Sequence, residues 1–325
     1  MVRSFIFSKG RLISQDVTLD FLKVALYDEN IQIWVDAENP TEEETKTLLE
    51  GVFGFHPLSI EDCVTPSERP KIDDYETYFF MCIHGITYSS SERAFGTREL
   101  NIFVGKDFLV TYHRDPLASV TATRDRCTKS PAVVARATDR LIYNILDLLL
   151  DTYAPALDGL SAEIADLEKA LLLAPSSDIV SDVLGLKSQI QKLRQIVAPQ
   201  RDVIGRLAHG EFKLVRATML PYYRDLLDRL NRIADVTETY RESLTGILQV
   251  QLNLQQNQTN RVVKVLTVLA TLAMPALIVT SYYGMNIQHW PGLNHSMPFS
   301  YTWVFGITAA MTILIYYLLK KKDWL

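Results

Sequence analysis

Between Val265 and Leu319 the chain carries no aspartate, glutamate, lysine or arginine, an uncharged run of 55 residues in a chain of 325. Of its 38 acidic and 33 basic residues, only Lys320, Lys321, Lys322 and Asp323 lie beyond that run. Two apolar blocks fill it, residues 265–283 and 301–319, each about as long as a helix that crosses a hydrocarbon core of ~30 Å. Residues 284–300 between them hold Gly284, Pro291, Gly292, Pro298 and two asparagines, the makings of a short polar turn and not of a third span. A helical hairpin inside a soluble core would show a polar face on each helix, and neither block has one. The expectation is an acidic, water-soluble body followed by two membrane spans.

Positive charge orients such a pair. Arg261 and Lys264 precede the first span, three lysines follow the second, and the connecting loop has no lysine or arginine. Both termini are therefore expected in the cytoplasm, beneath an inner or plasma membrane, with the loop outside. Tyr282, Tyr283, Trp290, Tyr301 and Trp303 would form an aromatic belt at the outer boundary. No signal peptide is read at the start, where Lys9 and Arg11 interrupt strand-like sequence. A 48% hydrophobic and 22% charged composition excludes global disorder, and a net charge of −5 argues against nucleic acid as the main partner. Cys63, Cys82 and Cys127 lie far apart with no C-x-x-C pair, which reads as buried reduced thiols rather than a disulfide framework or a zinc site.

The body divides by pattern. Up to residue 130 short β-branched and aromatic runs at 31–35, 78–83, 100–104 and 108–112 read as strands. A helix opens at Pro40-Thr41 with three glutamates in its first turn, and another follows His56-Pro57 to Cys63, making a cytoplasmic mixed α/β domain. Residues 131–221 read as a helical segment. One long amphipathic helix is expected over 132–171, kinked or divided at Pro155, and a second over 178–197, with Pro175 and Pro199 as punctuation. Residues 222–283 read as a stalk helix running into the first span, about 90 Å if continuous. Leu226, Leu230, Ile233, Tyr240, Leu244, Ile247 and Leu254 repeat along it at close to 3.5 residues, the mark of packing against other helices. The external loop is then 284–300, the second span 301–319 and the cytoplasmic tail 320–325. Just before the membrane the stalk becomes rich in amides, from Gln249 to Asn260, which reads either as a solvated face or as neutral oxygens at the inner mouth of a pore.

Several chemistries are absent. There is no phosphate-binding G-x-x-x-x-G-K-[ST] loop, no G-x-S-x-G and no H-E-x-x-H, and the six histidines are scattered. The spans carry no titratable acid, base or histidine with which a membrane enzyme would work. No prosthetic group is expected.

The first span ends Ser281-Tyr282-Tyr283-Gly284-Met285-Asn286, and the chain ends soon after the second with Lys320-Lys321-Lys322-Asp323-Trp324-Leu325. In that placement Gly-Met-Asn resembles the CorA family of divalent metal-ion transporters. His56-Pro57-Leu58, Glu61-Asp62, Arg69-Pro70-Lys71 and 75–80 resemble the family's amino-terminal domain; Tyr223-Arg224-Asp225 through Thr259-Asn260, with Met274-Pro275, resembles its stalk and pore helix. The resemblance implies an α+β membrane protein: a funnel-shaped homopentamer in the lipid bilayer, with five first spans lining a pore and Mg²⁺ or another divalent cation as substrate and regulator. It places the selectivity filter at Gly284, Met285 and Asn286, and the pore lining at Asn260, Val263, Leu266, Ala270, Met274, Leu277 and Ser281. Spacings of three and four keep these on one helix face, which is also what a helix-packing surface would show. Asp62 and Asp225 match the family's inhibitory metal positions, where a solvated acidic surface is the plainer reading.

The chemistry of such a pore is consistent with its residue types. Mg²⁺ holds its waters and demands octahedral oxygen, so a ring of Asn286 amides holds a hydrated ion without trapping it. Leu266, Val263 and Met274 would close by dewetting. Two departures from the family pattern stand out: the loop carries no acid, with Gly292 in Trp290-Pro291-Gly292-Leu293 where an acid is usual, and Leu277 replaces a frequent polar pore residue. His289 and His295 in that loop add nitrogen donors suited to Zn²⁺, Co²⁺ or Ni²⁺. Transport of Mg²⁺ and Co²⁺ is the first reading; a Zn²⁺ transporter of the same superfamily, coupled to protons or not, is the second; a non-conducting membrane scaffold or sensor is the third.

Overall fold

β-branched and aromatic runs in the first 113 residues pair into one sheet. The structure, a computed structural model, describes residues 1–28, 30–67, 69–89, 94–173, 178–285, 297–322 and 324. Seven strands are described: β1 (Val2–Ser8), β2 (Arg11–Gln15), β3 (Ile31–Glu38), β4 (Lys71–Asp74), β5 (Tyr78–Ser89), β6 (Ala94–Gly105) and β7 (Phe108–His113). They lie in the order β2-β1-β3-β7-β6-β5-β4, with β3 and β7 parallel and every other pair antiparallel. One core of the sheet gathers Val35, Phe80, Phe103 and Val110 from its strands with Leu48, Leu49 and Phe55 from the segment after β3. That segment carries α2 (Glu42–Lys46), a π-helical turn over Thr47–Val52 and α3 (Pro57–Val64); α1 (Leu19–Ala25) precedes β3. Thr41 and Glu44 close a reciprocal cap at the start of α2, the reason the helix begins where the three glutamates are.

From Ala118 onward every described element is a helix. α4 (Ala118–Lys129), α5 (Pro131–Val134), α6 (Thr138–Asp151), α7 (Tyr153–Leu173) and α8 (Asp178–Ala208) precede the long α9 (Leu220–Tyr283), and α10 (Met297–Lys321) follows it. Two expectations are corrected. The single helix over 132–171 is three helices. The last break falls at Thr152, whose N–H turns back to the Leu149 carbonyl and whose hydroxyl accepts from Ile86 N–H of β5. Pro155 then stands in the first turn of α7, where a missing N–H costs nothing. Nor does Pro199 end a helix: α8 passes through it to Ala208. Burial of Ile196, Val197, Val203 and Ile204 on both sides of the proline, and a bond from His84 N–H to Gln200 Oε1 (3.0 Å), hold the backbone helical despite the lost donor.

The described chain forms two units, Met1–Leu248 and Gln249–Leu325. Within the first, Leu226, Leu230, Ile233, Leu244 and Ile247 of α9 are buried, with Tyr223 and Thr237 extending the same seam. Tyr240 is half-buried, its hydroxyl bonding the Leu157 carbonyl of α7 (3.3 Å). The second unit holds the end of α9 and α10, the two helices long and apolar enough to cross a membrane.

Candidate functional site

α9 carries all seven positions of the expected pore stripe. Neighbouring residues of a helix stand about 100° apart around its axis. On that wheel Val263, Leu266, Ala270, Met274, Leu277 and Ser281 fall within about 80° of one another, and Asn260 lies about 75° from their centre. All seven are exposed in the chain, Leu266 at 66% and Leu277 at 62%. A different face is covered within this unit: Val268, Pro275 and Val279 are buried and Thr267, Thr271 and Leu272 half-buried. That face points about 140° away from the stripe. Asn260 and Val263 also line a groove of about 360 Å³ with Lys264, Thr267, Lys322 and Trp324, so the C-terminal end of α10 lies beside the Asn260 end of the stripe.

The threonines of the span satisfy their hydroxyls within the helix. Thr267, Thr271 and Thr280 turn their hydroxyls back to the carbonyls of Val263 (2.8 Å), Thr267 (2.6 Å) and Ala276 (2.7 Å). Gly284 closes the helix with its N–H on the Thr280 carbonyl (2.8 Å); a Cβ there would meet that same oxygen at 2.9 Å. The glycine of Gly-Met-Asn is thus required by the helix end. Met285 is exposed, while Asn286, His289 and His295 lie outside the described residues.

The two expected regulatory acids sit on different elements. Asp62 of α3 pairs with Lys71 of β4, both about one third exposed. Asp225, in the second turn of α9, is exposed. Burial, with the carboxylates of Asp147 and Asp225, holds the Tyr143 phenol of α6 above its ordinary range. Neither acid belongs to a group of three ligating side chains among the described residues.

Two polar arrangements escaped the sequence reading. The base of α9 is tied to α6: Arg216, just before it, grips buried Asp139 through Nε (2.8 Å) and Nη2 (2.7 Å), Tyr223 donates to the Asp139 carbonyl (2.7 Å), and Arg229 bonds Asp147 and Asp151 (each 2.5 Å). The middle of the sheet holds a buried ionic network. Asp36 Oδ1 accepts from Thr111 Oγ1 (2.7 Å) and His113 Nε2 (3.1 Å), and Oδ2 from Arg124 Nη1 (3.0 Å), which also faces Glu38 (3.6 Å). Trp34 Nε1 donates to Thr111 Oγ1 (3.1 Å). His113 Nδ1 faces the Asp115 carbonyl (2.7 Å), so both ring nitrogens donate and the ring is cationic. Burial pulls its pKa down, but the bond to Asp36 and the charges of Asp36 and Glu38 outweigh that and raise it above 6.5. With both nitrogens donating, His113 has no lone pair for a metal, and with Arg124 across Asp36 the group reads as a structural clasp. Thr111, His113 and Arg124 are 75 to 88 residues from Asp36 in sequence; the β3–β7 pairing brings the first two to it and α4 the third.

Comparison with known proteins agrees with this architecture. Residues 29–321 match the family profile described as CorA-like Mg2+ transporter protein. The chain is 28% identical over 299 residues to the cobalt/magnesium transport protein CorA of Thermotoga maritima, covering 92% of this chain and 85% of that one. It is likewise 28% identical over 291 residues to the putative metal ion transporter YfjQ of Bacillus subtilis, covering 90% and 89%. The complete structure of the CorA magnesium transporter from Methanocaldococcus jannaschii superposes with a TM-score of 0.78 at 22% identity, over 99% of this chain and 98% of that one. With soluble α/β domain, long helix and two terminal apolar helices all in place, the chain belongs to the CorA-like Mg²⁺ transporter family, a family of membrane transporters and not of enzymes.

Proposed function

We propose that this chain carries divalent cations, Mg²⁺ and Co²⁺ first among them, through a pore built from several copies of its first span. The observation that carries this is the open face of α9: six uncharged side chains aligned on a membrane-length helix and turned away from the face covered within its own unit. Two helices enclose no channel, so a conducting form is an oligomer, and a homopentamer is the assembly proposed. Val263, Leu266 and Met274 act as apolar constrictions, and Gly284-Met285-Asn286 as the filter, with Asn286 amides holding a hydrated ion. Asn260, off the centre of the stripe and beside the groove, guards the inner mouth. The positive charge of Arg261, Lys264 and Lys320 to Lys322 supports both termini in the cytoplasm, beneath an inner or plasma membrane. Residues 1–130 then form the cytoplasmic α/β domain, 131–221 the helical segment, 222–283 the stalk and first span, 284–300 the external loop, 301–319 the second span and 320–325 the tail. The membrane potential drives influx, since a divalent ion gains about 4.6 kcal/mol per 100 mV. Divalent ions bound between copies at Asp62 and Asp225 hold the pore shut. Asp62 must then be won from Lys71, which makes this closing site one of low affinity.

The test is uptake of Mg²⁺, Co²⁺ and Zn²⁺ into proteoliposomes, for the wild type and Asn286→Ala. Mg²⁺ and Co²⁺ flux that falls more than about tenfold with the assembly intact is expected. Zn²⁺ flux without Mg²⁺ flux moves the function to zinc transport and makes His289 and His295 its ligands; no flux at all leaves a scaffold. Asp225→Ala is expected to weaken inhibition by internal Mg²⁺, and unchanged inhibition removes Asp225 from the gate.

A further inference from the structure

The α/β domain holds a second cluster whose chemistry is not that of Mg²⁺. Cys82 and His84 stand two residues apart on β5, hence on one face of the strand, and β6 places Asn101 opposite Cys82 and Glu99 opposite His84. One ligand atom each from Cys82, His84 and Glu99 lie within 4.8 Å of one another. A cavity of about 280 Å³ is lined by His84 and Glu99 with Cys63 and Asn101, and Cys82 is buried beside these two ligands.

The surroundings orient each donor. His84 Nε2 lies 2.7 Å from the Ser67 carbonyl, which can only accept, so the proton is on Nε2 and the ring's lone pair is on Nδ1. A backbone carbonyl fixing the far nitrogen is the arrangement that orients metal-binding histidines. Glu99 is held in the same way, Oε1 accepting from Asn101 Nδ2 (2.6 Å) and Oε2 from Ser67 N–H (2.8 Å), and it also accepts from the Cys82 thiol, the proton that a metal would replace. Asn101 Nδ2 also reaches the Cys63 carbonyl (3.3 Å), which settles the orientation of the amide. Its Oδ1 is then a buried acceptor with no hydrogen-bond partner among the described residues, in a side chain 2% exposed and lining the cavity. A water on a metal ion would donate to it. Lys71 pairs across the sheet with Cys82 and is engaged by Asp62, while His113, held by Asp36, and Arg114, whose guanidinium donates to the Val64 carbonyl, also line the cavity.

We infer that Cys82, His84 and Glu99 form a site for a borderline-soft divalent transition ion such as Zn²⁺ or Co²⁺, with a water that donates to Asn101 Oδ1 as fourth ligand. One thiolate and one carboxylate balance the ion's two charges, so the filled site is neutral and tolerates burial. On binding, the Cys82 thiol proton leaves to solvent and the sulfur–metal bond takes its place. Mg²⁺, a hard ion that wants six oxygens, is excluded by the donor set. Cys82 is free and buried, as the sequence implied; the proposal adds to it a ligand, Glu99, that only the strand register brings near.

Cobalt reports the site directly. The full-length protein in detergent, stripped of metal, is titrated with Co²⁺ and followed by absorption. A thiolate-to-cobalt charge-transfer band that saturates at one ion per chain is expected, and about a thousandfold excess of Mg²⁺ leaves it in place. The pore stripe offers no thiol, so transported Co²⁺ gives no such band and the result is independent of transport. The band is lost in Cys82→Ala, weakened in Co²⁺ affinity by about tenfold or more in Glu99→Gln, and unchanged in Cys127→Ala. Should Cys82→Ala fail to fold, Glu99→Gln decides. A band missing from the wild type, or retained at full strength and affinity in either of those two variants, overturns the site.

Discussion

The unit 1–248 buries its large apolar side chains, and the unit 249–325 displays them. In the first, Trp34, Phe79, Phe80 and Phe103 are fully buried, and even an aspartate is enclosed because His113 and Arg124 answer its charge. In the second, Val263, Leu266, Met274, Phe305 and Ile313 are each more than half exposed on helices without a single charge through the spans. Water would not tolerate that surface; lipid and neighbouring copies would. The difference teaches where to look for each kind of function. Chemistry made by the single chain, such as polar clasps and metal ligands, is complete in the first unit. The ion pathway is the part that the single chain leaves open.

The strongest way to break the comparison is to remove the charge that the first unit encloses. Asp36→Ala leaves Arg124 and a cationic His113 buried without their partner, a loss of about 3–5 kcal/mol. Asp62→Ala, which cuts an ion pair a third exposed, is expected to cost at most about 1 kcal/mol. Hydrogen exchange of the β3 and β7 amides in the full-length protein reads both. Equal effects would mean that the clasp does not organise the sheet.

A charge placed in the second unit sharpens the other half. Leu266 belongs to the stripe, whereas Leu269, also exposed, lies about 100° round the helix from the centre of that stripe. Aspartate in a water-accessible pore is hydrated; aspartate against lipid or a packed helix costs roughly 2.5–3.5 kcal/mol in insertion. Leu266→Asp is therefore expected to insert, assemble and raise divalent flux through a wetted constriction. Leu269→Asp is expected to lower the amount of assembled protein in the membrane. If both variants lose assembly alike, the stripe is a packing surface and the pore lies on another face.

What was legible in the sequence follows the same division. The uncharged run of 55 residues announces two spans because membrane solubility acts on composition, residue by residue, with no need of tertiary contacts. The seam of Leu226, Leu230, Ile233 and Leu244 was readable because a helix repeats locally, and the strands at 31–35, 78–83, 100–104 and 108–112 all fall within observed strands for a similar reason. Pro199 misled because local propensity yields to packing: residues on both sides of it are buried, and Gln200 is bonded to a strand 116 positions earlier. Asp36 with His113, and Cys82 with Glu99, were invisible since nothing in a single sequence fixes a parallel pairing or a hairpin register. The stripe itself came from resemblance to a family; spacing alone allows a packing face equally well.

The smallest expected effect is a dependence on pH confined to the first unit. His113 has its pKa raised above 6.5: burial opposes the charge, but Asp36, the Asp115 carbonyl and Glu38 favour it more. A group whose folded value lies above its unfolded value binds more protons folded than unfolded, so its stabilisation is fully present below about 6.5 and is lost as pH rises through the folded value. The charged groups facing the ring are Asp36, Glu38 and Arg124, and Arg124 stays charged throughout, so Asp36 keeps one partner when His113 loses its proton. The penalty is thus smaller than deleting Asp36. Protection of the β3 and β7 amides is expected to fall as pH is raised above about 6.5, and His113→Gln, which keeps a donor toward Asp36 but does not titrate, flattens the profile. The spans of the second unit, with no titratable acid, lysine or histidine among residues 265–283 and 301–319, supply no such slope of their own. A slope that survives in His113→Gln would place the titrating group elsewhere in the first unit and leave His113 as a neutral packing residue.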